Sequence, residues 1–461
     1  MHLCILPWAL GAMHSTTQFV SLGFSVVGIS ITFFRWDRPD RPYSGTRPGV
    51  ALRAFPPFWL GLLLLAYIAA QTLNPSWQYL SSKDSWWLEP LDHVSWLPTS
   101  IKAPFERSNP WRFFLVFSSL WLLGCSVWAG FRHRRSYRTL FTVLVINGFF
   151  LALLGVVQHL TEAKKIFWTY TPSNPSFIAS FIYRNHAGSY FNLLIALAVG
   201  LGWWHYRRSH RRLDKSSPSG AYTFVAVFVG LMVVFSYSRM SILLLLAFMA
   251  LIALAMGARL LGWTGAQTDR NEALVLILTV SGFLGVGIAA VSVERVWQRF
   301  AGMISDPVAS TIDRNLARAA ASEMFADKWE FGWGAGCFRH AFPIYAQRYP
   351  EIYVSGGNNL KYWEYAHNDL LQFPIELGVM GCIPLVATVA YFFAALIRYR
   401  FWRSALVVPI ALSCLLIFVH AWVDFVLQSP AVLFLWAVLL IGATRCVEYD
   451  RPATIEPSAA A

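Results

Sequence analysis

The 461-residue sequence has little charge: Asp, Glu, Lys and Arg make up 13% of it, about half of the ~25% found in soluble domains. Hydrophobic residues make up 56%, and the mean hydropathy is +0.49. So few charges cannot cover a water-facing surface, which excludes both a soluble protein and a disordered one. The composition therefore predicts a polytopic, all-α membrane protein.

Cysteine is also scarce, and its distribution excludes several kinds of site. The six cysteines form no C-x-x-C pair and no His/Cys cluster, so neither a metal site nor another cofactor is expected. Only Cys337 lies in a predicted outer loop, so a loop disulfide is not implied. The apolar start of the chain lacks the basic region and the small-residue cleavage site of a signal peptide, so we do not expect it to be one.

Apolar runs near 20 residues predict about twelve transmembrane helices, because a bilayer core of ~30 Å needs about that length. The shortest run, 3–13, either crosses the membrane, enters it only part way or continues beyond the given start. The predicted spans are 3–13, 17–34, 56–72, 112–131, 139–159, 187–204, 222–237, 240–256, 273–292, 371–394, 405–423 and 428–446.

The basic residues predict the orientation of these spans. With both termini in the cytoplasm, the cytoplasmic segments hold 21 basic and 8 acidic residues, so the whole net charge of +13 lies on that side. The charge therefore indicates topology, and no nucleic-acid partner is expected. These segments are 35–55, 132–138, 205–221, 257–272, 395–404 and 445–461.

Two segments on the outer side are long, within what we expect to be a single membrane domain over 1–461. The first, 73–111, is rich in Trp, Pro and Ser. The second, 293–370, shows helix-like periodicity in Val308, Ile312 and Leu316, so we expect an ordered, partly helical loop that covers a site.

Ionisable and polar residues collect at the predicted outer ends of the spans, where such groups are costly and therefore informative. Most have ordinary explanations when taken singly: Arg239 as a snorkelling anchor, His367 as a polar group at a helix start, and His420 with Asp424 as an interhelical pair. Glu376 lies about two turns inside a span, which favours either a site role or a buried Arg partner. The full set comprises Arg184, His186, Ser238, Arg239, Arg314, Arg318, His367, Asn368, Glu376, His420 and Asp424.

Taken together, these arginines and histidines predict a chemistry at the membrane boundary. Arg binds phosphate bidentately, and His serves as a general base near neutral pH. Glycosyl transfer from a polyprenyl-diphosphate sugar needs both groups, because the diphosphate leaves once its charge is neutralised and the acceptor hydroxyl must lose a proton.

The order of motifs over residues 140–445 resembles the O-antigen ligase/polymerase family of bacterial surface-polysaccharide enzymes. The motifs are Arg184-Asn185-His186, Ser236-x-Ser238-Arg239, Arg314 in a large outer loop, Gly332-Trp-Gly334-Ala-Gly336, His367-Asn368-Asp369 with Glu376-Leu-Gly378, and His420-x-x-x-Asp424. One departure is Met240, where related turns often have Gly.

The resemblance implies an inverting, metal-independent glycosyltransferase of the bacterial inner membrane. Its donor would be an undecaprenyl-diphosphate-linked glycan, and its acceptor either lipid A–core or a growing glycan. His367 would be the general base and Arg314 the second critical residue, with Arg239 as a further diphosphate ligand. Arg184 and His186 would line the same cavity, and Arg318 can take the place of Arg314, since spacing alone does not choose between them.

Other functions remain open at this point. A ligase and a polymerase share the donor and differ in the acceptor, which the sequence does not reveal. A protein-glycosylating relative, a rod-shape-type cell-wall polymerase and a lipid-linked oligosaccharide transporter are the alternatives. The transporter is disfavoured, because its site would lie at the midplane and no inverted repeat is visible.

Overall fold

The structure is a computed structural model, and it describes residues 1–34, 47–82, 85–174, 176–263, 312–355, 359–360 and 362–450. The predicted span 273–292, the start of the large loop at 293–311 and the tail 451–461 lie outside the described residues. The helices, numbered in chain order within the described residues, are α1 (His2–Trp8), α2 (Ser15–Phe33), α3 (Pro48–Arg53), α4 (Pro56–Leu73), α5 (Pro110–Gly130), α6 (Arg134–Leu160), α7 (Arg184–Arg212), α8 (Ser219–Phe235), α9 (Arg239–Leu260), α10 (Ile312–Asp327), α11 (Phe338–Ala346), α12 (Pro350–Tyr353), α13 (Asp369–Arg398), α14 (Val407–Val423) and α15 (Pro430–Glu448).

Eight of these helices are long and apolar enough to cross a membrane, namely α2, α4, α5, α6, α7, α9, α13 and α15. Two shorter apolar helices, α8 and α14, have 17 residues each. The prediction of a helical membrane protein is therefore confirmed. The count of twelve spans is not, because α1 has only seven residues, or about 10 Å of helix.

The helix boundaries follow from local sequence signals. Asn109, Ser238 and Asn368 each precede a helix and accept a hydrogen bond from a backbone N–H of its first turn. Pro56 and Pro430 stand at the first helical position, where a missing N–H costs nothing. These signals therefore define where five of the helices begin.

Helices α7 and α15 form the centre of the bundle, and most of their residues are buried. Gly188 lets α9 approach α7, because a Cβ at this position would lie 2.0 Å from Oγ of Ser241. Gly200 likewise lies against the backbone, where a Cβ would be 2.5 Å from the carbonyl oxygen of Leu406. Small residues near the start and in the middle of α7 thus allow its close packing against α9 and against the segment that precedes α14.

The first outer segment contains a sheet that the all-α prediction missed. Strands β1 (Pro75–Ser81), β2 (Trp86–Pro90) and β3 (Ser100–Lys102) have the order β2-β1-β3, antiparallel between β1 and β2 and parallel between β1 and β3. A second, two-residue pair, β4 (Val354–Ser355) and β5 (Asn359–Leu360), is antiparallel.

The described part of the second outer segment is partly helical, as predicted, and carries α10, α11 and α12. Buried residues of these helices pack with Tyr79 and Ile101 of the sheet in one apolar cluster. The two outer segments therefore form one cap at the end of the bundle where α13 begins.

Glycines join this cap to α13. The helix breaks at Gly378, whose φ is +64°, and the backbone of residues 329–334 runs beside the break. The N–H groups of Trp333 and Gly334 donate to the carbonyls of Ile375 and Glu376 at 2.8 and 2.9 Å, and that of Val379 donates to Trp329 at 2.8 Å. The backbone groups that the break in α13 leaves without helical partners thus form hydrogen bonds with the backbone of the cap.

Candidate active site

Three segments distant in the sequence meet at the carboxylate of Asp424. His367, just before α13, donates from Nδ1 to Oδ1 of Asp424 at 3.2 Å. Asn185, in the first turn of α7, donates from Nδ2 to the other carboxylate oxygen. The backbone N–H of Phe425 donates to Oδ1 at 2.9 Å. We call His367, Asp424 and Asn185 the histidine–aspartate cluster.

The imidazole of His367 is held in one orientation. Its ring meets the rings of Phe425 and Trp363 edge to face, at centroid distances of 4.8 and 5.6 Å. With Nδ1–H directed at Asp424, Nε2 carries the lone pair, and the described residues provide no hydrogen bond to it. The side chain is 31% exposed, so Nε2 is accessible to an approaching hydroxyl group.

The backbone at His367 is strained. Its φ is +49°, in the left-handed region that residues other than glycine, Asn and Asp rarely adopt. Such conformations cost about 1–3 kcal/mol and concentrate at functional sites. The N-terminal cap of α13 by Asn368 and the hydrogen bond of the backbone N–H of Asp369 to the carbonyl of Asp424, at 3.2 Å, hold this strained residue in place.

Asp424 is almost fully buried, and its charge is stabilised by its neighbours. Burial alone would raise the pKa of this carboxyl group. The hydrogen bond from His367 and the positive charges of His367, His420 and Arg314 outweigh burial, so the pKa of Asp424 lies below its ordinary value. The carboxylate is therefore ionised at neutral pH and can stabilise a protonated His367.

His186 and His420 lie behind the cluster and are fully buried, rather than lining an open cavity. His186 donates from Nε2 to the carbonyl of Phe425 at 3.1 Å. Nδ1 of His420 and the hydroxyl of Ser189 share a hydrogen bond of 2.6 Å, which joins α14 to α7. Both histidines therefore support the turn that carries Asp424.

The two arginines of α10 reach the same turn. Arg314 donates to the carbonyl of Val423 at 3.4 Å, and Arg318 donates to that of Trp422 at 3.0 Å. Of these two arginines, it is Arg314 whose charge contributes to the lowered pKa of Asp424. Arg314 is thus the arginine beside the cluster, and its guanidinium has further donors that Val423 does not use.

Arg239 lies one helix away from the cluster, as the first residue of α9, and is half-buried. The first turn of α9 packs against α7, where Nδ2 of Asn192 donates to the carbonyl of Ser241 at 3.0 Å. Ser238 caps α9 by accepting from the N–H of Ser241 at 3.3 Å. Arg184 begins α7, next to Asn185. Hydrogen bonds between the described residues do not join Arg239 to His367.

Glu376 is fully buried and lies against the cap, not in the histidine–aspartate cluster. Its Oε1 accepts from Nε2 of Gln372 at 3.1 Å and from the N–H of Phe338 at 3.3 Å. Gln372 in turn accepts from the N–H of Ala366 at 3.0 Å. Among the described residues, the hydrogen-bond donors to Glu376 are therefore amide groups and not a buried arginine.

Sequence reasoning missed a polar cavity of about 210 Å³ beside the cluster. Tyr365 lines it and stacks on Phe425 at a centroid distance of 4.4 Å. Arg339 lines it too and pairs with Glu364 at 3.2 Å, while Arg112 donates to the carbonyls of Met13 and Glu106 at 2.9 Å each. These residues are far apart in the sequence, so local patterns gave no signal for them.

An apolar groove of about 380 Å³ continues from this cavity between α4, α5, α13 and α15. Phe117, Phe373, Leu427 and Leu433 line both spaces. A molecule with an apolar tail and a polar head matches such a pair of spaces. Within the described residues, no group of three His, Cys, Asp or Glu side chains could hold a metal ion.

Residues 224–386 match the family described as O-antigen ligase. This match confirms the resemblance found in the sequence, over a narrower range than 140–445. It contains Arg239, Arg314, His367 and Glu376, and it ends before His420 and Asp424. No curated protein matches the chain.

Proposed function

We propose that this membrane protein transfers a glycan from an undecaprenyl-diphosphate-linked donor to an acceptor hydroxyl group. The observation that carries the proposal is the imidazole of His367, fixed by Asp424 at one nitrogen and accessible at the other, with Arg314 beside the same turn. The family match supports a role of this kind in O-antigen assembly.

His367 would act as the general base. Nε2 takes the proton of the acceptor hydroxyl, and the hydroxyl oxygen forms a bond to the anomeric carbon of the donor sugar. The bond from that carbon to the diphosphate oxygen breaks, and its electron pair leaves with the diphosphate. A single displacement inverts the anomeric centre, and Asp424 stabilises the imidazolium until its proton passes to solvent.

Arginines would stabilise the leaving diphosphate. Within the described residues, Arg314 has donors that its bond to Val423 leaves unused, and Arg239 lies at the same end of the bundle without a hydrogen-bond partner. A fixed cation placed where negative charge develops lowers the barrier without reorganisation. The mechanism needs no metal, since arginine supplies the charge.

The apolar groove and the polar cavity support a lipid-linked substrate. The groove between α4, α5, α13 and α15 would hold the polyprenyl tail, and the adjoining cavity with Arg112 and Arg339 would hold part of a polar head. The cap formed by residues 73–111 and the described part of 293–370 would cover the site.

The site would face the periplasm of a bacterial inner membrane, with both termini in the cytoplasm. The turns at Arg134, Arg208 and Arg398 all lie around one cavity at the opposite end of the bundle from His367. Basic residues favour the cytoplasmic side, so their position supports this orientation.

Transfer by the purified protein tests the proposal. We expect radiolabelled, undecaprenyl-diphosphate-linked glycan to give a product and free undecaprenyl diphosphate in detergent, with undiminished yield in EDTA. Product formed only with lipid A–core indicates a ligase, and a ladder of longer lipid-linked glycans without it indicates a polymerase. Absence of product under both conditions, or activity lost in EDTA and restored by Mg²⁺, would contradict the mechanism.

A further inference from the structure

A cavity at the end of the bundle opposite His367 is lined mainly by arginines. Its volume is about 980 Å³, near the upper limit of the range of small-ligand pockets. Nine arginines line it, together with Trp204, Tyr399 and a few other side chains. The arginines are Arg134, Arg138, Arg207, Arg208, Arg211, Arg212, Arg398, Arg400 and Arg403.

Three separate parts of the fold bring these arginines together. Arg134 and Arg138 lie in the first turns of α6, and the last turns of α7 carry four more. Arg398 ends α13, and Arg400 and Arg403 lie in the connection to α14. Asn185 of the histidine–aspartate cluster and Arg207 of the cavity lie 22 residues apart on α7, so the two sites are about 33 Å apart.

The described residues that line the cavity carry many more positive than negative charges. Asp450 is the one carboxylate among the described residues that line it, and it pairs with Arg134. The guanidinium groups of Arg138 and Arg208 both lie over the ring of Trp204, at 4.1 and 5.2 Å from its centroid. The aromatic ring of Trp204 therefore holds two positive charges near each other, although they repel.

Membrane topology alone does not account for this arrangement. Orientation requires basic residues on one side of the membrane, and arginines dispersed over the surface meet that requirement with less mutual repulsion. Convergence of nine arginines on one concave space costs free energy, which a bound polyanion offsets. Arginine also binds phosphate oxygens through two parallel hydrogen bonds, which a point charge does not.

We propose that this arginine-lined cavity is a binding site for a ligand that carries two or more phosphate groups. The ligand can be a soluble polyphosphate or the headgroup of a lipid with two phosphates, since both present the same chemistry to the guanidinium groups. The site is separate from glycan transfer, so its test does not depend on the proposed activity.

The test uses the full-length protein and two probes. Equilibrium binding of radiolabelled inorganic pyrophosphate in detergent measures the soluble source. Native mass spectrometry after incubation with cardiolipin or with phosphatidylcholine measures the lipid source. The variant is Arg208→Gln with Arg211→Gln, and the matched control is Arg53→Gln with Arg135→Gln. All four side chains are exposed, and the control removes the same charge outside the cavity lining.

We expect the protein to bind pyrophosphate, cardiolipin or both in preference to phosphatidylcholine, and the probe that binds identifies the source. The variant should weaken that binding by about a hundredfold or more, because each of the two lost charge-assisted hydrogen bonds is worth about tenfold or more in affinity. The control should bind as the wild type does. Failure of both probes to bind, or an equal loss in the control, would overturn the proposal.

Discussion

At the scale of single residues, the site depends on which nitrogen of His367 is engaged. Because Nδ1 faces Asp424, the free nitrogen is Nε2, and the exposed face of the ring determines where an acceptor can approach. Asp424 has three donors around it, so it both orients the ring and keeps its own charge. In the proposed mechanism, His367 is thus the base, and Asp424 determines its tautomer and stabilises its protonated form.

The lowered pKa of Asp424 predicts a pH-dependent contribution to stability. A carboxyl group whose pKa is lower in the folded protein stabilises the fold above its unfolded pKa of about 3.9, and this stability is lost as pH falls through the folded value. We expect Asp424→Asn to reduce the free energy of unfolding by about 1–3 kcal/mol at pH 7.

Thermal unfolding in detergent at pH 7 and near pH 3.5 measures this difference between the wild type and Asp424→Asn. The gap in melting temperature should shrink at the lower pH, where the wild-type carboxylate begins to lose its contribution. A gap of the same size at both pH values would show that the charge of Asp424 does not stabilise the fold.

Arg239 tests the assignment of diphosphate ligands. If its planar guanidinium grips a phosphate through two hydrogen bonds, Arg239→Lys keeps the charge but loses one bond. We expect the rate of glycan transfer to fall on the order of tenfold, since such a bond is worth about 1.5–3 kcal/mol. Arg348→Lys, on the exposed surface of the cap, is the control and should leave the rate unchanged. An Arg239→Lys enzyme with the wild-type rate would contradict this role and indicate that Arg239 only anchors the end of α9 at the membrane surface.

At the scale of structural elements, the glycine motifs connect the cap to the membrane bundle. A Cβ on Gly332 would lie 2.4 Å from the carbonyl oxygen of Glu376, and one on Gly378 would lie 2.2 Å from that of Glu330. Tyr67 and Gln71 of α4 donate to carbonyls on both sides of this junction. The two glycine-containing motifs, out of the six that carry the family resemblance, therefore join the cap to α13.

Gly378→Ala should separate the cap from α13. Its φ of +64° and the contact with a backbone oxygen leave no room for a methyl group, so we expect the free energy of unfolding to fall by at least about 1–3 kcal/mol. Gly23→Ala in α2, where an added Cβ meets no atom within 4 Å, is the control. Melting temperatures in detergent compare the two, and equal values would contradict the role assigned to the junction.

At the scale of the whole molecule, the membrane helices could be predicted well from the sequence, because the thickness of the bilayer sets the length of an apolar run that can span it. Ten of the twelve predicted spans correspond to described helices, with ends shifted by several residues where caps and charged turns extend the helix. The sheet in residues 75–102 was missed, because its short strands lie among Trp, Pro and Ser without a clear alternation.

The site was predicted as a set of residues but not as an arrangement. Local motifs identified His367, Arg314 and Asp424, yet no local pattern indicates that His367 and Asp424, 57 positions apart, form a pair. The depth of Glu376 in a predicted span favoured a role in the site. Its hydrogen-bond partners are Gln372 of α13 and Phe338 of the cap, where the cap contacts α13. Long-range contacts decide these roles, and they appear only once the chain is folded.

The most direct test of the central claim is the initial rate of glycan transfer by purified His367→Asn protein. Asn tolerates the positive φ at this position, so the fold is preserved while the base is removed. General-base catalysis contributes about 10²–10⁴-fold, so we expect a loss of that size, with a comparable loss in Arg314→Ala and none in His93→Ala of the outer sheet segment. A His367→Asn enzyme that is folded and transfers glycan within a few-fold of the wild-type rate would contradict the account.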